Sequence, residues 1–185
     1  MILAYGYVSD IISNADGKNK SAAESEAGRR LLDLLLERVG IDASALEVKP
    51  DQNGKPSFVG RDDLHFNISH TNGFAVCALS AGEGRVGVDA EPQKSAIPRE
   101  RQVRIAERFF SENEKKALAD GESFVSLWTK REAYLKMTGE GIARAARSDI
   151  PESVWFYSLN KEGCVITLCT ESRVKVEACE YKDLL

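Results

Sequence analysis

The spacing of apolar residues changes along this chain, and that change limits the fold to a mixture of helices and strands. Between residues 26 and 39 the apolar side chains recur at every third or fourth position, which predicts a helix ending at Gly40. Alternation with a period of two follows in 64–68, 74–79 and 154–178, and it predicts strands. A helix followed by strands in each half is the pattern of the α+β class.

Capping and turn residues delimit the other elements. The segment 71–73, Thr-Asn-Gly, joins two of the predicted strands as a hairpin. Ser111 and Glu114 have the spacing of a capping box, in which each side chain satisfies a backbone donor in the first turn of a helix. Further helices are predicted at 100–109 and 123–137.

A glycine-rich segment, 81–84, is the best candidate for a boundary within the chain. We therefore predict an N-terminal half, 1–82, and a C-terminal half, 83–185. A chain of 185 residues suits either one compact domain or two small halves that share a core.

Composition and charge exclude several classes of protein. The formal net charge of -4 argues against nucleic acid as the main partner, because phosphate-binding surfaces are usually basic. The apolar start, 1–8, is short and lacks basic residues, which predicts a first strand and not a signal peptide. No apolar run approaches the ~20 residues that span a bilayer. The four cysteines lack metal-ligand spacing, so we expect them to be buried thiols. Together these features predict a cytoplasmic protein without nucleic-acid or membrane partners.

Two carboxylates lie one pleat apart on the predicted strand 86–91. Alternation directs the apolar residues of this strand to the core, and it places Asp89 and Glu91 together on the opposite face. The core-facing residues are Val86, Val88 and Ala90. Neighbouring carboxylates repel each other unless a cation lies between them. The pair is therefore either a solvated strand end or a site for a hard cation such as Mg²⁺.

A row of polar residues follows one face of the helix predicted at 123–137. Trp128, Glu132 and Lys136 are successive i+4 neighbours, while Arg131 lies among apolar residues. One interpretation is a surface Glu–Lys pair worth ~0.3–0.5 kcal/mol. The other is a third carboxylate and a cation beside a metal-bound diphosphate.

Ser69 and His70 are neighbours near the end of a predicted strand, so their side chains point in opposite directions. They cannot form the hydrogen-bonded nucleophile and base of a catalytic triad. The sequence also lacks the glycine-rich phosphate loop with its lysine. If His70 acts, a donor to phosphate is the more plausible role than a general base.

Motifs that are weak alone occur together and in a fixed order: Gly54-Lys-Pro56, His65-Phe-Asn-Ile-Ser-His70, Gly87-Val-Asp-Ala-Glu91 and Trp128-x-x-Arg-Glu-Ala-x-x-x-Lys136. The set resembles the surfactin-synthetase-activating (Sfp) type of 4′-phosphopantetheinyl transferase. The resemblance runs from about residue 29 to residue 141. It implies two pseudo-symmetric α+β halves packed together, with coenzyme A and Mg²⁺ bound in the cleft between them.

The resemblance also implies roles for individual residues. The positions of the family's metal ligands are held here by Asp89, Glu91 and Glu132. The positions that contact coenzyme A are held by Arg30, Lys55, Pro56, Ser69, His70 and Lys136. The catalytic positions are held by Arg131, Glu132 and Lys136. In this role Glu132 accepts the proton of the attacking hydroxyl, directly or through water bound to the metal, and Lys136 offsets charge on the phosphoryl oxygens.

The implied activity is Mg²⁺-dependent transfer of 4′-phosphopantetheine from coenzyme A to a serine of an apo acyl or peptidyl carrier protein, with release of 3′,5′-ADP. The resemblance further suggests a monomer. Arg131 departs from the family, which usually has lysine there, and the chain is short before its first helix, where Lys18 or Lys20 would take over coenzyme contacts. These departures keep a non-catalytic coenzyme A-binding protein open as an alternative. Another Mg²⁺-dependent phosphate-ester enzyme ranks last, because it gives segments 54–56 and 67–70 no role.

Overall fold

The computed structural model describes residues 1–13, 19–94, 97–141 and 146–185. Helices and strands are mixed along these ranges, which confirms the α+β class predicted from the sequence. The α-helices are α1 (Val8–Ile11), α2 (Lys20–Arg38), α3 (Arg99–Phe109), α4 (Glu112–Ala119) and α5 (Phe124–Thr138). None of the described helices combines the length and apolar character that crossing a membrane requires.

The strands of the described ranges form three sheets. They are β1 (Ile2–Tyr7), β2 (Val48–Pro50), β3 (Pro56–Phe58), β4 (Leu64–Thr71), β5 (Phe74–Ala81), β6 (Val86–Pro92), β7 (Trp155–Lys161), β8 (Cys164–Thr170) and β9 (Glu177–Glu180). The first sheet has the strand order β4-β5-β1-β9, the second pairs β2 with β3, and the third has the order β6-β8-β7. Paired strands are antiparallel except for β1 and β9, which are parallel.

Helix α2 covers one face of the first sheet, and its buried leucines and alanines pack on β1, β4 and β5. The helix begins at Lys20, well before the start predicted at residue 26. Asn19 caps it by accepting a hydrogen bond from the backbone N–H of Ser21 at 3.0 Å. The prediction missed the first turns because most of their residues are polar, which hides the helical period.

Strand β6 lies between the first sheet and α5. One of its faces buries Val86, Val88 and Ala90 against β1 and β5, as the alternation predicted. On the other face, a Cβ at Gly87 would lie 2.1 Å from the carbonyl oxygen of Ala133, which no side chain tolerates. Glycine at this position lets α5 approach β6 closely enough to bring its polar row over the strand.

The predicted turns and caps of the remaining elements are confirmed. Asn72 and Gly73 join β4 to β5 with φ angles of 46° and 81°, as in the tight hairpin turns that Asn-Gly favours. The capping box of Ser111 and Glu114 begins α4. Ser123 caps α5, and Gly139 closes that helix with a left-handed φ of 76°. All four cysteines are buried free thiols, also as predicted.

The predicted boundary at 81–84 falls between β5 and β6, which belong to different sheets. The last strand crosses back over that boundary, since β9 pairs with β1 and completes the first sheet. The division into 1–82 and 83–185, and any symmetry between those halves, stays a prediction.

Candidate active site

Lys136 connects three elements at the centre of the predicted site. Its ammonium group donates to Asp89 Oδ1 at 2.7 Å and to Ser69 Oγ at 2.9 Å. Ser69 Oγ donates to the same oxygen of Asp89 at 2.9 Å. Because Ser69 is on β4, Asp89 on β6 and Lys136 on α5, this network joins both large sheets to the helix.

The second carboxylate oxygen of Asp89 has no hydrogen-bond donor among the described residues. Asp89 is only 5 % exposed, and its Oδ2 atom is buried. A buried acceptor left unpaired costs about 1–3 kcal/mol, so such an oxygen is suited to bind a cation or a donor group of a ligand. Oxygen ligands, carboxylates above all, are those that Mg²⁺ takes in proteins. The residues present therefore fit a magnesium ion held through Asp89.

The negative charge of Asp89 affects the pKa of two further carboxylates. Burial, followed by the negative charge of Asp89, raises the pKa of Glu91 to about 7. Burial and then the same charge also raise the pKa of Glu132, while Lys136 lowers the pKa of both glutamates. The charge of Asp89 thus opposes the ionisation of both glutamates, and a divalent cation would relieve this repulsion.

These carboxylates do not form a closed set of metal ligands. In the part of the chain that the structure describes, no three His, Cys, Asp or Glu side chains are gathered closely enough to hold a metal ion. Glu91 accepts a hydrogen bond from Trp128 and lines a small cleft of about 150 Å³ beside it, whereas Glu132 lines a different cleft. Binding one ion through all three carboxylates therefore requires side-chain rotation at Glu91 and Glu132.

The predicted coenzyme residues lie along two neighbouring cavities that share Pro56. The first, which we call the α2 groove, has a volume of about 870 Å³. Its lining includes Arg29, Arg30, Pro56, Phe66 and His70. The second, the α5 cleft, has a volume of about 360 Å³. Its lining includes Lys55, Pro56, Glu132, Lys136 and Glu140. Ser69 lies buried beneath, in contact with Asp89 and Lys136.

Lys55 points inward and not into solvent. Its ammonium group donates to the carbonyl oxygens of Val86, at 3.0 Å, and Met137, at 3.2 Å. Met137 is in the last turn of α5, where carbonyl groups lack partners within the helix and a positive charge is favourable. Burial, and then the positive charge of Arg85, lower the pKa of Lys55 to about 8. These two carbonyl groups engage two of the three donors of the ammonium group.

Of the three predicted catalytic residues, Glu132 and Lys136 line the α5 cleft and Arg131 does not. Its side chain is fully buried and forms a bidentate ion pair with Glu114, and it donates to the carbonyl oxygen of Ser148 at 2.8 Å. Arginine's planar fork matches a carboxylate in this way, which lysine cannot do. The side chain therefore packs α5 against α4, and a catalytic role for Arg131 stays a prediction.

The structure also brings in a residue that sequence reasoning missed. Glu24, on α2, is only 7 % exposed; it accepts a hydrogen bond from the backbone N–H of Gly73 at 2.7 Å, and lies 3.2 Å from Nδ1 of His70. A glutamate among the polar first turns of a helix gives no sequence signal of burial. Lys20 donates to Asn72 Oδ1 at 3.5 Å, and Lys18 lies outside the described residues.

Comparison with known proteins identifies the family. Residues 85–179 match the sequence profile of the 4′-phosphopantetheinyl transferase superfamily. The matched range contains β6 and α5, and so it contains Asp89, Glu91, Glu132 and Lys136. The chain belongs to the 4′-phosphopantetheinyl transferase superfamily.

Individual relatives place it with the surfactin type, as the motifs predicted. The chain is 37% identical to the 4′-phosphopantetheinyl transferase gsp of Aneurinibacillus migulanus, over 66% of this chain and 51% of that protein. It is 30% identical to Sfp of Bacillus subtilis, over 65% of this chain and 56% of that protein. For HetI of Nostoc sp. the identity is 32%, over 67% and 55%. The chain spans from about half to just under two thirds of the length of the relatives that it matches.

Proposed function

We propose that this chain transfers the 4′-phosphopantetheine group of coenzyme A to a serine hydroxyl of an apo acyl or peptidyl carrier protein, releasing 3′,5′-ADP. The observation that carries the proposal is the arrangement on α5. Glu132 and Lys136 lie one helical turn apart and line one cleft, and Lys136 contacts Asp89, whose second oxygen has no partner among the described residues. A base, a cation and a candidate metal ligand are what phosphoryl transfer needs.

The proposed magnesium ligands are Asp89, Glu91 and Glu132. When bound, Mg²⁺ would neutralise the diphosphate of coenzyme A and polarise the phosphorus under attack. Asp89 supports this assignment best, because its free oxygen is buried and its other oxygen is fixed by Ser69 and Lys136.

The residues of the chain supply the proton transfer and part of the charge stabilisation. The serine oxygen of the carrier forms a bond to the phosphorus that bears pantetheine, and the bond from that phosphorus to the oxygen of 3′,5′-ADP breaks. Glu132 lines the α5 cleft and accepts the hydroxyl proton as the general base. Lys136 lies one turn further along α5 and offsets the charge on the phosphoryl oxygens.

The coenzyme would span the two cavities. Its phosphorylated adenosine end fits the α2 groove, where Arg30 and His70 offer donors, and its diphosphate fits the α5 cleft beside Lys136. Pro56 lines both cavities and so marks the crossing between them. We assign Arg131 an anchoring role, because its donors are engaged by Glu114 and Ser148.

The wider setting follows from the same proposal. We propose a monomeric, cytoplasmic enzyme in which the half 1–82 contributes most nucleotide contacts and the half 83–185 carries the metal site and the catalytic helix. A net charge of -4 argues against nucleic acid as the macromolecular partner.

Incubation with coenzyme A, Mg²⁺ and an apo carrier protein tests the proposal. The carrier should gain the mass of one phosphopantetheine group, and omission of Mg²⁺ with added chelator should prevent the gain. A carrier whose serine is replaced by alanine is the control. Absence of a mass gain with fatty-acid, polyketide and nonribosomal-peptide carriers alike would reject the transferase.

Two observations favour coenzyme A binding without turnover as the alternative. The ammonium group of Lys136 is already paired with Asp89, and the carboxylates are not gathered around one ion. Calorimetry that detects coenzyme A binding, together with no modification of any carrier, would select this alternative.

A further inference from the structure

The carboxylate of Glu24 joins α2 to the β4–β5 hairpin through both of its oxygens. Oε1 accepts the backbone N–H of Gly73 at 2.7 Å, and Oε2 lies 3.2 Å from Nδ1 of His70. The glutamate is buried while His70 is about one third exposed, so the pair has a fixed member and a member that a ligand can reach. These contacts fix the imidazole by one nitrogen.

His70 lines the α2 groove, together with Arg29 and Arg30. Because Nδ1 is engaged by Glu24, Nε2 is the ring nitrogen that remains for a ligand in the groove. We propose that Glu24 is a positioning residue, which holds His70 so that Nε2 donates to a phosphate on the adenosine end of coenzyme A. This inference rests on the proposed function, because it assumes that the groove binds that end.

The positions of the ring protons of His70 determine when Nε2 can donate a hydrogen bond. A neutral imidazole carries one proton, and a carboxylate at Nδ1 holds it there. Nε2 of that neutral ring has only a lone pair, so it donates to a phosphate only after the ring takes up a second proton. Phosphate binding should therefore be coupled to proton uptake, with the imidazolium between Glu24 and the phosphate.

Other charged groups also face the groove. Glu26, Arg29, Arg30 and Asp33 line it, all on α2. Lys20, also on α2, contacts Asn72 in the adjoining turn. On β6, behind β4, Asp89 contacts Ser69 and not His70. Asp33 therefore offers a matched control, since Asp33→Asn removes one negative charge from the same groove without touching the pair.

Glu24→Gln is the informative substitution because it keeps the shape of the side chain. The amide oxygen can still accept from Gly73, and the amide nitrogen can donate to Nδ1 of His70. The ring then stays in place, but a neutral ring already carries its proton on Nε2. The variant should fold and still bind phosphate, although as a neutral donor and without proton uptake at the histidine.

Calorimetry with 3′,5′-ADP, in buffers of different ionisation enthalpy between about pH 6 and 9, measures this proton uptake. Wild type should take up as much as one proton more than Glu24→Gln within that interval. The phosphates of the ligand contribute equally to both proteins, so the difference belongs to the protein. At the lowest pH of the interval, Glu24→Gln should bind 3′,5′-ADP about tenfold more weakly than wild type, because a charge-assisted hydrogen bond is lost. Asp33→Asn should keep the proton uptake of wild type.

A measurement on the wild-type protein alone tests the same inference and does not depend on how the variant folds. Nitrogen-15 chemical shifts of the His70 ring in the unliganded wild type should place a proton on Nδ1. A neutral ring protonated on Nε2 alone, or equal proton uptake by wild type and Glu24→Gln, would overturn the inference.

The outcome separates this inference from the proposed function. If wild type binds 3′,5′-ADP and modifies a carrier while the proton uptake is insensitive to Glu24, only the positioning role fails. If wild type neither binds 3′,5′-ADP nor modifies any carrier, the proposed function fails and the inference fails with it.

Discussion

One oxygen of Asp89 is held by Ser69 and Lys136, while the other is buried without a donor among the described residues. Because the two oxygens of Asp89 differ in this way, the electrostatic balance of the site depends on the charge of each side chain around Asp89. Removing a neighbouring carboxylate should ease the electrostatic repulsion around Asp89, and should therefore leave the fold intact even where it abolishes chemistry. Stability and activity are thus expected to respond differently to substitutions in the α5 cleft.

Replacement of Glu132 tests that separation. Glu132→Gln keeps the shape of the side chain but removes the base, so the rate of carrier modification should fall at least ~100-fold, the usual contribution of general base catalysis. The temperature of unfolding should stay the same or rise slightly, because a desolvated charge near Asp89 is lost. Glu140→Gln, at an exposed residue of the same cleft, is the control and should keep its rate. A Glu132→Gln rate near that of wild type would refute the assigned role.

Lys55 gives a prediction about pH and stability. Its pKa is lowered to about 8 in the folded protein, below the value of 10.5 for a lysine in water, chiefly by burial. Between these two values the unfolded chain binds more protons than the folded protein, so the contribution of Lys55 to the free energy of unfolding rises with pH. Below about pH 8 both states are protonated and the contribution is flat.

The Lys55→Met variant should lose this rise. The difference in the free energy of unfolding between wild type and variant should change by about 2–3 kcal/mol over this pH interval, measured by urea denaturation. Lys49→Met, at an exposed lysine, should follow wild type at every pH. A parallel pH dependence of wild type and Lys55→Met would mean that Lys55 is not desolvated in solution.

Among the elements, α5 has the most demanding position, because it must hold Glu132 and Lys136 over β6. Gly87 permits the close approach, Lys55 satisfies a carbonyl at the end of the helix, and Arg131 joins the helix to α4. Each of these contacts restrains a different part of the helix. The geometry of the cleft therefore depends on residues other than Glu132 and Lys136 themselves.

Substitution at Arg131 tests the anchoring role. Arg131→Met leaves Glu114 buried without its cation, so the free energy of unfolding should fall by about 3–5 kcal/mol. The double variant Arg131→Met with Glu114→Gln should recover much of that loss, because no unpaired charge remains and glutamine can keep the capping box of α4. Chemical denaturation of the three proteins gives the comparison. A loss below about 1 kcal/mol in Arg131→Met would contradict a buried ion pair.

Sequence reasoning succeeded where a residue's neighbours are local. The alternation on β6, the divergence of Ser69 from His70 and the capping box of α4 all follow from spacing along the chain. It failed where the partner is distant. Packing between elements determines the inward direction of Lys55, the burial of Arg131 and the contact of Glu24 with His70. The sequence does not show which neighbouring element a charged side chain will contact.

At the scale of the whole molecule, the site lies where the two large sheets meet. Ser69 belongs to the first sheet and Asp89 to the third, and the side chain of Lys136 bridges them. The chain closes the first sheet with β9, its last strand, so residues from both ends contribute to one body. Binding of one ion by all three carboxylates requires side chains at this junction to move, because they are not gathered in the described structure.

Metal binding tests the central claim most directly. Mn²⁺, a paramagnetic substitute for Mg²⁺, should bind wild type at one site in the presence of coenzyme A, as measured by electron paramagnetic resonance titration. Asp89→Asn should weaken that binding at least ~10-fold, since altering even an indirect partner of a metal ligand costs that much, while Glu140→Gln should match wild type. Equal affinity of Asp89→Asn and wild type for Mn²⁺ would show that the carboxylates do not converge on one ion.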